Sequence, residues 1–221
     1  MTISSDIQRG KDKDSSVHPT RVHAYIDGFN LYYGLKQRNW RQYYWIDPYA
    51  LIGELVGTSE KLESVKYFTA RVNGPEEKRH RQGRFLDAIH ASSACEVIYG
   101  KYNTKRKKCR SCQSRYFKNE EKMTDTAIAV NFVADAFLGR FDKAILVGGD
   151  TDIVPAVEAV RQHFPEKIVQ VWFPPARLND EVGAVCNQSN TINGEHLKAA
   201  RMPPSIATQH GTIIDRPESW K

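Results

Sequence analysis

A chain of 221 residues, 40% of them hydrophobic, is sized for one domain with flanking segments and carries enough apolar side chains for one core. No stretch approaches the roughly 18 apolar residues of a membrane span, the polar first twenty residues lack the apolar run of a secretory signal, and four cysteines are too few for a disulfide scaffold of this size. A reducing, cytoplasmic setting with no membrane partner is therefore expected. The net charge of +6 is local: eight Lys or Arg and no acid lie between Lys101 and Lys118, so the rest of the chain sums to −2. A concentrated basic segment attracts polyanions, and nucleic acid is the commonest of these in a cytoplasm.

In chain order, residues 1–20 are rich in Ser, Asp and Lys and read as a disordered N-terminal tail. The body, 21–200, alternates strand and helix. Strands are predicted at Val22–Ile26, Val65–Ala70, Glu96–Tyr99, Ala144–Val147 and Ile168–Trp172. Helices are predicted at Phe29–Gln37, Pro48–Val56, Glu76–Ala91, Glu121–Leu138, Ile153–His163 and Asp180–Asn187. Strands separated by helices imply βαβ crossovers and a mostly parallel sheet covered on both faces, so the fold class is α/β. Residues 101–119 interrupt the alternation as a polar, basic insertion, projecting as a hairpin or loop. The 201–221 segment, with Pro203, Pro204 and Pro217, reads as a loosely packed C-terminal extension.

Two strands end on acids. Ala144-Ile145-Leu146-Val147 runs into Gly148-Gly149-Asp150-Thr151-Asp152, and Tyr25-Ile26 runs into Asp27-Gly28-Phe29-Asn30. Open α/β sheets bind ligands beyond the carboxyl ends of their strands. Acids there, without a Gly-rich dinucleotide fingerprint, suit a hard cation such as Mg2+ or Mn2+. Asp125 is a further candidate, because it continues the apolar stripe of Ile128, Ala129 and Phe132, and a carboxylate on such a face needs a partner or a cation. Each acid also has a plain structural role open to it. Asp27 and Asp150 are good N-caps, and Asp125 suits a first helical turn. Asn30 and Thr151 read either as groups orienting the carboxylates or as helix-start and turn residues. A haloacid-dehalogenase phosphatase would need a second acid two residues after Asp27, and a receiver domain would need an acidic pair ahead of its first strand. Neither is present.

The ordered set Tyr25–Asn30, Lys122-Met123-Thr124-Asp125 and Leu146–Pro155, with Tyr67–Val72 and Arg81-Gln82 between, resembles the NYN domain family of PIN-like nucleases, and the LabA-like branch in particular, over roughly residues 21–198. The resemblance implies a three-layer α/β/α sandwich with strand order 3-2-1-4-5. It also implies a Mg2+- or Mn2+-dependent nuclease, usually acting on RNA, with Asp27, Asp125, Asp150 and Asp152 as metal ligands and catalytic residues. One departure matters: Asn131 stands where the family often brings a further acid two turns into the helix. The first reading is thus a divalent-metal-dependent ribonuclease. The second is a catalytically weak RNA-binding or regulatory module of the same fold. A phosphatase for small esters would have no use for the basic arm.

For RNA contact the sequence offers Lys105, Arg106, Lys107, Lys108 and Arg110 on the arm and Lys122 beside Asp125. Two aromatic-basic patches accompany them, around Trp40, Tyr43 and Trp45 and along Lys78, Arg79, Arg81 and Arg84, where stacking and phosphate contact combine. Cys109-Arg110-Ser111-Cys112 is half of a structural zinc site. Cys95, His90 or a second copy in a homodimer would have to complete it, so reduced thiols in a binding hairpin are favoured over zinc.

Overall fold

The computed structural model describes residues 18–108 and 111–221, with the side chains of 102–106 and 116–122 left outside that description. Its elements are β1 (Thr20–Asp27), α1 (Gly28–Gln37), α2 (Pro48–Gly53), β2 (Glu60–Thr69), α3 (Glu76–Ser92), β3 (Glu96–Tyr99), β4 (Lys101–Lys108), β5 (Arg115–Lys122), α4 (Thr124–Phe137) and β6 (Lys143–Val147). After these come α5 (Val154–His163), β7 (Ile168–Phe173), α6 (Asp180–Val185), β8 (Gln188–Thr191), α7 (Gly194–Ala199), β9 (Ser205–Ala207) and β10 (Ile213–Asp215). The central sheet has the order β3-β2-β1-β6-β7-β8, and every neighbouring pair in it is parallel. Setting aside the β4–β5 hairpin, which forms its own two-stranded sheet, this is the expected 3-2-1-4-5 order with β8 added at one edge.

Burial on both faces explains why the strands are apolar runs rather than alternations. Along β1, Val22, Ala24 and Ile26 point into one core with Leu31, Leu51 and Ile89, while Tyr25 points into the other with Phe132, Val157 and Val169. The two cores are the layers of an α/β/α sandwich. β1 pairs with β2 on one side and β6 on the other, and Ile26 lies opposite Val147. The chain therefore leaves β1 and β6 toward opposite neighbours, which makes their carboxyl ends a topological switch point.

Several expectations are corrected. The helix expected over Glu121–Leu138 begins at Thr124, because Glu121 and Lys122 finish β5 and Met123 turns into the helix with φ 77°. The insertion accordingly runs to Lys122, and that residue ends a strand rather than preceding Asp125 on a helix. Of the expected N-terminal tail, residues 1–17 lie outside the described residues, and Thr20 already belongs to β1. The C-terminal segment is packed, not loose. Met202, Ile206 and Trp220 are buried in the first core, Trp45 Nε1 donates to Pro203 O at 2.7 Å, and Met202 N donates to Trp45 O at 3.1 Å. Burying a side chain such as Trp220 contributes about 1.5–3 kcal/mol, which offsets the ordering of the short strands leading to it.

A buried polar network centred on Asp135 lies against the second core. Asp135, 1% exposed, accepts hydrogen bonds from Tyr25 Oη (2.8 Å), Lys66 Nζ (2.7 Å) and Arg140 (2.9 Å). Burial pushes its carboxyl up, but the bonds from Lys66 and Tyr25 and the lysine charge outweigh this and hold it below the usual carboxylate range. Burial also outweighs Asp135 at neighbouring His23 and lowers the imidazole below its usual range. Removing one partner of a buried pair strands the other charge, so Asp135→Ala should cost about 3–5 kcal/mol in urea denaturation. A depressed carboxyl contributes stability above its unfolded pKa and loses it as pH falls through the folded one. The gap between wild type and Asp135→Asn should therefore hold at pH 7 and close only below about pH 4. A gap under about 1 kcal/mol at pH 7 would show that the network does not hold the layer.

Candidate active site at the carboxyl edge of the sheet

The site starts from two strand ends. Asp27 closes β1 and caps α1, its Oδ1 accepting from Phe29 N (3.0 Å) and Asn30 N (2.9 Å). Asp150 caps a short 3-10 turn after β6, its Oδ1 accepting from Asp152 N at 3.2 Å. The capping reading of both acids is thus true, and capping fixes the orientation of each carboxylate at the sheet edge. Between them Gly148 lies close enough to β1 that a Cβ there would stand 3.4 Å from Asp27 Cβ.

Gly149 is pinned from three directions. Its N–H donates to Asn30 Oδ1 (3.2 Å), its carbonyl accepts from Asn179 Nδ2 (3.0 Å), and a Cβ would come within 2.1 Å of Arg177 O. No side chain fits, so glycine is required for this close approach. The Asn30 side chain therefore acts on the turn that carries Asp150, while its backbone N–H serves Asp27, and Thr151 opens the 3-10 turn. Asn179 and Arg177 were not singled out in the sequence. The signal available for Asn179 was its place just before Asp180-Glu181, where it caps α6.

Asp27, Asp125, Asp150 and Asp152 line one cleft of about 410 Å3, floored by Tyr25, Ile128 and Leu146. Asp125 sits in the first turn of α4. Although the residue as a whole is exposed, loss of solvation raises its carboxyl pKa, and negative charge on Asp150 and then Asp152 raises it further. Acids that repel one another across a partly desolvated cleft have the chemistry of a cation site, since a bound cation relieves that repulsion. They do not close on one point: among the described residues no group of three His, Cys, Asp or Glu is placed to hold a metal ion. Carboxylate oxygens are the donor type a hard cation takes, and here they line the cleft without forming a closed ligand set.

The expected further acid is Asn131, whose Oδ1 accepts from Lys66 Nζ at 3.1 Å and whose Nδ2 donates to Ala127 O at 2.9 Å. The same lysine bonds Asp135, so the amide is tied to a buried cation. On the arm, Lys107 and Lys108 belong to β4 and pair with Tyr116 and Arg115 of β5. Cys109 and Arg110 lie outside the described residues, as do the side chains of Lys105, Arg106 and Lys122. Cys112 is exposed beside Ser114 Oγ at 2.9 Å. The two same-chain candidates to complete a zinc site have other roles. Burial pushes the Cys95 thiol up to about 12, away from the thiolate a metal needs, and His90 Nε2 contacts Tyr99 Oη at 3.0 Å.

Residues 21–192 match the NYN domain. The chain belongs to the NYN domain family, a PIN-like nuclease family. It is similar to the 6-hydroxy-3-succinoylpyridine 3-monooxygenase HspA of Pseudomonas putida, 29% identical over 91% of this chain and 76% of that one. In fold it resembles the crystal structure of a protein of unknown function from Vibrio parahaemolyticus, with TM-score 0.56 and 20% identity over 81% of this chain and 97% of the other. No helix among the described residues is long and apolar enough to cross a membrane.

The charge coupling in the cleft gives a direct test. Because Asp150 raises Asp125, Asp150→Asn should move the Asp125 titration downward in carboxyl-detected NMR of selectively labelled protein. An upward or absent shift would separate the two carboxylates.

Proposed function

We propose that this protein is a divalent-metal-dependent ribonuclease, hydrolysing RNA phosphodiester bonds at the Asp27, Asp125, Asp150 and Asp152 cleft. The observation that carries this reading is the convergence of four acids, from three separate segments, on one cleft at the switch point of the sheet. A bound Mg2+ or Mn2+ would supply a water of lowered pKa and offset charge developing on the phosphate. The chain's own part is positional. The caps at Asp27 and Asp150 hold two carboxylates at fixed angles, and Asn30 and Asn179 clamp the turn between β6 and Asp150. Burial and the charges of Asp150 and Asp152 raise the Asp125 carboxyl, so cation binding through it should weaken as pH falls. The β4–β5 arm ends at Lys122, three residues before Asp125, so the base of the arm leads directly into the helix that carries Asp125.

A second reading, a catalytically weak RNA-binding module, is favoured by one observation. Asn131 replaces a carboxylate with an amide committed to Lys66, which lowers the negative charge available to a cation. The name of the Pseudomonas putida relative raises oxidation of a substituted pyridine as a further activity. The feature that speaks for that activity is an aromatic pocket on the other face of the sheet, not the acids.

Cleavage of a labelled single-stranded RNA by wild type, Asp27→Asn and Asp150→Asn, with Mn2+ or EDTA, separates these readings. A nuclease should lose several orders of magnitude in rate with either substitution, because Asn is a neutral and poorer ligand. RNA binding without metal should hold or tighten, since a negative charge near phosphate has gone. Cleavage that survives EDTA, or that both variants keep in full, would sink the metal-nuclease reading. Tight binding with no wild-type cleavage would favour the module. Replacing Lys105, Arg106, Lys107 and Lys108 with Ala should reduce the log–log salt slope of RNA binding by about 3–4, and an unchanged slope would take the arm off the binding surface.

A further inference from the structure

We propose that the pocket on the α3 side of the sheet binds a single flat aromatic ring bearing an anionic group, with the ring among Tyr33, Tyr67 and Phe85 and the anion at Lys78 and Arg81. This goes beyond phosphodiester hydrolysis and uses none of the four acids. The pocket is a partly open concavity of about 740 Å3, counting the space it shares with solvent. Its walls are aromatic edges and faces in mutual contact. Tyr67 meets Phe85 edge-on at 6.1 Å, Phe85 meets Trp220 at 6.1 Å, and Tyr32 meets Tyr33 at 5.3 Å. A ligand ring entering such a cage gains offset or edge contacts without asking the walls to rearrange. Leu31, Leu35 and Ile46 make an apolar floor that has nothing to offer a polar edge.

The charged lining is confined to α3. Gln82 is committed, its Oε1 to Val72 N (2.8 Å) and its Nε2 to Ala70 O (2.9 Å). The charged side chains lining the pocket are Lys78 and Arg81, both half-buried on α3. Arg81 has only a long contact of 3.8 Å to Glu77, whose side chain is 91% exposed. A solvent-facing pair of that length leaves the guanidinium available. Its charge also reaches the cage. Burial and Tyr33 raise the Tyr32 hydroxyl, and Arg81 and Arg41 pull it back. A neutral ring would leave two cations beside an apolar chamber unused, whereas an acidic ring pairs with them.

The pocket's shape depends on a glycine. A Cβ at Gly28 would lie 2.5 Å from the Tyr67 ring, so only glycine lets that ring rest over the start of α1 and face Phe85. Gly28 follows Asp27 directly, which places the pocket and the acidic cleft on opposite faces of the same strand end.

Isothermal titration calorimetry of the full chain tests the proposal with four probes: 4-hydroxybenzoate, its neutral amide, uridine 5′-monophosphate and uridine. At least one anionic probe should bind with Kd below about 1 mM. The Lys78→Gln/Arg81→Gln variant should weaken that probe by about tenfold or more and leave its neutral counterpart unchanged. Tyr33→Ala, at the 37% exposed rim where folding is safe, should weaken both. Binding of the benzoate alone identifies a small aromatic acid as ligand, and binding of the nucleotide identifies a nucleobase with its phosphate. Failure of both anions to bind, or binding that the double variant retains in full, overturns the proposal. Asp150→Asn should abolish cleavage while preserving ring binding, so either reading can fail without the other.

Discussion

Parallel pairing of β1 with β6 decides where the rest of the molecule goes. It sets Asp27 beside the Gly148-Gly149 turn, and with it Asp150 and Asp152. It also divides the chain's crossovers, with α1 and α3 on one face and α4 and α5 on the other. α4 can then bring Asp125 to the same cleft only because it starts at the carboxyl edge of that strand pair. The glycines follow from the same constraint: strand ends this close leave no volume for a Cβ at Gly149.

The chemistry beneath the cleft differs from a simple acidic cluster. Tyr25 lines the cleft with one part of its ring and binds Asp135 through its hydroxyl, and Asp135 binds Lys66. A buried ammonium therefore lies one residue behind the acids, tied also to Asn131. Had Asn131 been a carboxylate, it would have competed with Asp135 for that lysine. The amide instead accepts one bond from it and donates another to the helix backbone. The Asn131 amide is thus paired at both its oxygen and its nitrogen without adding negative charge beside the cleft.

Four of the five strands expected from the sequence were legible because buried parallel strands hold apolar runs, and the half-exposed edge strand Glu96–Tyr99 was placed to the residue. β8 escaped notice for the opposite reason: Gln188–Thr191 is polar and exposed throughout, held by pairing with β7 alone. The four acids were legible as strand-end and first-turn residues, and the structure does bring them to one cleft. The Asp135 network was not legible, since Lys66 is 69 residues away and only tertiary contact joins them. The C-terminal prolines suggested looseness, yet Pro203 supplies the carbonyl that Trp45 needs. The aromatic patch around Trp45 divided accordingly. Trp45 itself is core, while Tyr43 and Tyr44 line the ring pocket.

The β4–β5 arm carries a thermodynamic freedom that the rest of the chain lacks. Ile26 and Val147 pair across about 120 residues of intervening chain, and the arm is spliced into that interval. Closure entropy grows only with the logarithm of loop length, so a hairpin of about twenty residues adds roughly 0.2 kcal/mol to closing the central pair. Its two strands pair with each other and not with the six-stranded sheet. Length and charge of the arm can therefore change over generations at almost no expense to folding, whereas Gly149, a few residues beyond the far end of the same interval, admits no change at all.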